Sequence, residues 1–78
     1  MYTFKISNKE GECIVFEHIK KASYNTIGPN GAVETVLEGE NIFNHKYLTS
    51  FDLHLFSDTD AYTVSQKEIS IIQVTKED

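Results

Sequence analysis

The chain has 78 residues, 40% of them hydrophobic, with a formal net charge of −5. That length supports one core and excludes a second, so residues 1–78 are read as a single small β domain. All seven cations are lysine, and an acidic chain without arginine is poorly suited to phosphate, which sets nucleic acid aside as the default partner.

The lone Cys13 cannot form an intramolecular disulfide. The apolar run from Cys13 to Phe16 is also far shorter than a secretory core of roughly 7–15 residues or a membrane span of about 20. A cytoplasmic protein is the expectation, without membrane attachment. Richness in Lys, Asn and Ile with no Arg or Trp fits a low-GC coding sequence, bacterial or phage-encoded.

In chain order, Tyr2 to Ser7 alternates, with Tyr2, Phe4 and Ile6 on one face and Thr3, Lys5 and Ser7 on the other, which predicts a half-buried strand. Asn8-Lys9-Glu10-Gly11 supplies a turn. Glu12 to His18 follows as a second strand, and its continuous run Cys13-Ile14-Val15-Phe16 predicts a central position with Cys13 packed in the core. Val15, Ile19 and Ala22 stand at helical spacing, but the β-branched and aromatic residues around them and the lack of an N-cap favour strand. Gly28-Pro29-Asn30-Gly31 is the strongest turn signal, predicting flanking strands at Ser23 to Ile27 and Ala32 to Glu38. The polar stretch beyond Gly39 is expected to fold Ile42 and Phe43 back onto the core as a short helical turn or loop.

From Leu48 the alternation returns, with Phe51, Leu53 and Leu55 facing in and Asp52 and His54 facing out. Ser57-Asp58-Thr59-Asp60 reads as a turn into a short strand at Ala61 to Ser65. Ser65 and Glu68 form a capping box that would start a helix, whereas Ile69-Ser70-Ile71-Ile72-Gln73-Val74 is β-branched, so segment 66–77 is assigned as strand against a competing helix signal. Six or seven short strands predict an all-β antiparallel meander, with at most one short helical turn, closed as a barrel or folded as a sandwich.

Residues capable of chemistry lack the partners that chemistry requires. Cys13 and His18 supply a thiol and a base for a thiol enzyme, but five positions along one strand place them on opposite faces. Asp52 and His54 share a face and could begin a metal site with His45 or His18, yet the paired ligand motifs of a structural zinc site are missing. Asp58 and Asp60 open like a calcium loop, but Thr63 stands where glycine is needed and Ile69 where a bidentate glutamate is needed. Lys20 and Lys21 with Tyr24 form the one basic and aromatic cluster, the basis of an alternative reading as a nucleic-acid-binding small barrel. Glu34, Glu38, Glu40, Asp58 and Asp60 would make one acidic surface if their loops share an end. With no catalytic, cofactor-binding or metal-binding residues assigned, the expectation is a non-enzymatic module whose partner is another protein or a second copy of itself.

Overall fold

The alternation in Tyr2–Ser7 is realised as strand β1, whose Phe4 and Ile6 are buried while Lys5 is exposed. The structure, a computed structural model, describes residues 1–78. After β1 come β2 (Cys13–Ile19), β3 (Lys21–Gly28), β4 (Gly31–Glu38), helix α1 (Asn41–Asn44), β5 (Leu53–Phe56), β6 (Ala61–Val64) and β7 (Ile71–Lys76). The strands form two antiparallel sheets, one of three in the order β2-β1-β7 and one of four in the order β4-β3-β5-β6.

Three hairpins, β1–β2, β3–β4 and β5–β6, account for the local pairings, while β1–β7 and β3–β5 are non-local. Both sheets contribute to a single core built from Phe4, Ile6, Ile19, Ala22, Tyr24, Leu37, Ile42, Leu53, Leu55, Val64 and Ile69. No helix is long and apolar enough to cross a membrane.

The second strand is not central. β7 takes the far side of β1, so β1 lies in the middle and β2 at an edge. Ile14 and Val15 consequently stand 57% and 51% exposed, and only Phe16 and Ile19 of this strand turn into the core. Cys13, expected in the interior, is exposed for the same reason.

Lys20 alone separates β2 from β3. There the chain passes from one sheet to the other, and the Lys20 N–H donates to the Phe56 carbonyl at 2.9 Å. The β3–β4 hairpin is longer than its predicted strands, pairing Lys21 with Glu38 through to Gly28 with Gly31. Positive φ in its turn falls on Gly31, at +113°, and not on Asn30.

In α1, Ile42 is fully buried, whereas Phe43 remains 42% exposed with the Lys76 ammonium 4.6 Å from its ring centre. The predicted strand from Leu48 begins only at Leu53, although Phe51 still packs on the core. Both C-terminal signals are used in succession. Ser65 caps a 3₁₀ turn at Gln66–Glu68, and the β-branched run then forms β7.

Candidate functional site

The three imidazoles occupy three separate environments. His45 Nε2 and the buried Tyr24 hydroxyl share a hydrogen bond of 2.6 Å. His54 Nδ1 lies 3.1 Å from the Thr63 hydroxyl across the β5–β6 pair. His18 lies near the C-terminus, where its Nδ1 is 2.9 Å from Glu77 Oε1. Asp52 and His54 line one cavity of about 280 Å³ with Asn25 and Ser50. The Asp52 carboxylate accepts the Gln66 N–H at 2.8 Å, capping the 3₁₀ turn. No three His, Cys, Asp or Glu side chains converge in the arrangement of a metal site.

The nucleic-acid constellation is divided: Lys21 and Tyr24 are three positions apart on β3 and so on opposite faces, and Lys20 sits in the corner ahead of that strand. Tyr24 points inward, and its ring lies against Phe51 and His45, where no base can stack on it. Lys20 Nζ meets Asp58 Oδ1 at 2.9 Å, and Lys21 Nζ sits 5.1 Å from the centre of the Phe56 ring.

The five acidic residues are likewise separated into groups. Lys21 faces Glu38 on one side and Phe56 on the other, so Glu38 and the 57–60 turn lie at one end of the four-stranded sheet with both lysines between them. Glu34 is further along β4, opposite Asn25, and Glu40 stands immediately before α1, where its side chain makes no capping hydrogen bond. Asp58 and Asp60 sit in a turn organised by Ser57, whose hydroxyl accepts the Asp60 N–H at 2.9 Å.

Sequence reasoning missed the neighbour of that turn. The chain reversal at Lys20 brings the end of β2 alongside it, so Glu17, Asp58 and Asp60 line a cavity of about 540 Å³ with Val15 and Tyr62. Glu17 carries no signal in its own surroundings, and only the non-local corner makes it part of an acidic groove. A second cavity of about 290 Å³ lies at the other end of β2, lined by Ile14, Phe16, Val64, Glu12 and Glu68. Between the two, the Phe16 and Tyr62 rings touch with centroids 4.9 Å apart. β2 and β6 exchange no backbone hydrogen bond along this seam.

Near one end of the seam, His18 adopts a left-handed backbone with φ of +60°. Its N–H donates to Glu77 Oε2 at 2.7 Å and the Thr3 hydroxyl donates to the same oxygen at 2.8 Å. The His18 N–H first, then the Thr3 hydroxyl and the imidazole, hold the Glu77 carboxyl down at about 2. Hydrogen bonding to Glu77 and its negative charge raise His18 above its ordinary value.

No protein family, curated protein or solved structure matches this chain.

Proposed function

We propose that the domain is a non-catalytic binding module that docks another protein, or a second copy of itself, along an unpaired sheet edge. The observation that carries this reading is the character of its edges. β2 presents Ile14 and Val15, and β4 presents Val33 and Val36, each about half exposed, on strands whose outer sides lack a strand partner. Such edges offer main-chain donors and acceptors beside apolar side chains, the combination on which strand addition depends.

The chemistry around these edges supports binding more than turnover. Cys13 lies at the start of β2, while the only imidazole on that strand is held by Glu77 at the other end. The test is sedimentation equilibrium at micromolar protein, alongside capture of partners from the source cell. A concentration-dependent dimer, or a stoichiometric protein partner competed off by excess free domain, is the expected result. Stoichiometric zinc required for a turnover, or tight oligonucleotide binding at physiological salt, would overturn the class of function.

A further inference from the structure

The two flanks of the molecule are closed differently. On one, α1 packs against both β4 and β7 and inserts the fully buried Ile42. On the other, β2 and β6, the edges of different sheets, share no ladder and meet through the Phe16–Tyr62 ring contact, with a cavity at each end. Carboxylates line both openings, Glu12 and Glu68 at one and Glu17, Asp58 and Asp60 at the other. No lysine lines either, and the cationic groups at the second are His18, which Glu77 holds, and the N-terminus at Met1. Glu12 and Glu68 converge on one uncharged donor, the Asn8 amide, at 3.1 and 3.2 Å. At the opposite end only Asp58 has a lysine partner, Lys20.

We infer that this seam is the docking groove for an extended, lysine- or arginine-bearing segment of a partner protein, which adds to the free edge of β2. The inference rests on the binding-module reading and specifies which edge is used and what it takes. An added strand would satisfy the outer backbone groups of β2 and lay its apolar side chains along Ile14, Val15 and Tyr62. Its cations would meet carboxylates at both ends, and the match in charge selects a basic segment over a second copy of this acidic chain. Glu12 and Glu17 are five positions apart, and at about 3.3 Å per residue the cations of an extended partner should stand about four to six positions apart. β4 is the weaker candidate, since α1 packs against it and Lys21 stands opposite its Glu38.

The experiment is an amide-resolved NMR titration of the full chain with synthetic peptides of about nine residues. Each alternates valine and threonine, with two lysines five positions apart in one series and two glutamates in their place in the other. The lysine peptide should shift amides of residues 13–18 and 61–64, weaken with added salt and lose about tenfold in affinity against a Glu17→Lys, Asp60→Lys double variant. Both positions are at the surface, and the spectrum of the free variant reports directly that its fold is retained. Equal response to the glutamate peptide, shifts confined to residues 31–38, or no response would overturn the inference. Shifts at residues 31–38 would leave an edge-binding module standing with a different edge. Concentration-dependent shifts at 13–18 without any peptide, together with a sedimenting dimer, would overturn the basic segment in favour of a second copy and keep the module reading.

Discussion

Leu53 is 3% exposed on a strand only four residues long and belongs to the core to which both sheets contribute. Leu53→Ala is expected to cost about 2–5 kcal/mol by urea unfolding, a large share of what a domain this small possesses. A loss below about 0.5 kcal/mol would mean the site behaves as surface. Tyr47 shows how a polar tip fixes an apolar ring. It packs edge-on to Phe4 and His45, and its hydroxyl donates to the Ile42 carbonyl at 2.7 Å, pinning α1 to the core. Burial, with Tyr24 nearby as the second cause, pushes its phenol well above the ordinary value of 10.0. The neutral phenol is therefore the form that stabilises the fold, and its contribution is present below pH 10 and fades as the pH rises further. Tyr47→Phe keeps the ring and leaves the carbonyl without its donor, which should destabilise by about 1–2 kcal/mol in a thermal melt and remove that alkaline dependence.

The β3–β4 hairpin turns on backbone conformation. Gly31 has φ of +113°, and a Cβ built there meets nothing within 4 Å, so Gly31→Ala should cost about 1–3 kcal/mol through backbone strain alone. Asn30→Ala, at a position without positive φ, should stay within about 0.5 kcal/mol. Unfolding midpoints of the pair would separate the two roles, and equal losses would contradict this division. The turn itself was legible in Gly28-Pro29-Asn30-Gly31 because its chemistry is local, as were the faces of β1 and β5, where alternation directly reports the pleat. The edge position of β2 was not legible. Its run of four apolar residues describes a buried strand, and only the pairing of β1 with β7, across most of the chain, leaves Ile14 and Val15 outside. The same limit applies to the acidic groove. Asp58 and Asp60 announce a turn, but their meeting with Glu17 depends on a corner at Lys20 that composition does not mark.

Glu77 ties the two ends of the chain into one sheet. Its carboxylate reaches from beyond β7, across Thr3 of β1, to both the backbone and the imidazole of His18 on β2, and its own N–H donates to the Met1 carbonyl at 3.1 Å. Each partner gives this clamp a pH limit. Glu77 titrates at about 2 in the fold against an ordinary 4.5, so its contribution is present above pH 4.5 and is lost as the pH falls toward 2. His18 is raised from its ordinary 6.5, so the charged pair contributes fully below pH 6.5 and is lost as the pH climbs through the raised value. Glu17, whose carboxylate lies 3.9 Å from His18 Nε2, adds to that rise, and the N-terminal ammonium opposes it. The window in which both terms act is therefore about pH 4.5 to 6.5. Glu77→Gln keeps the side-chain size and one acceptor oxygen for the His18 N–H and Thr3 hydroxyl, but removes the charge and puts an NH2 where Oε1 faced the imidazole. The stability gap between parent and variant should therefore be widest inside that window and narrow on both sides. Unfolding midpoints measured from pH 2 to pH 9 in both proteins give the gap directly. A gap that stays constant across the range would show that the clamp acts through neutral hydrogen bonds alone. A gap that closes at low pH but persists at high pH would assign its strength to the His18 and Thr3 donors that do not titrate, leaving the imidazole a bystander.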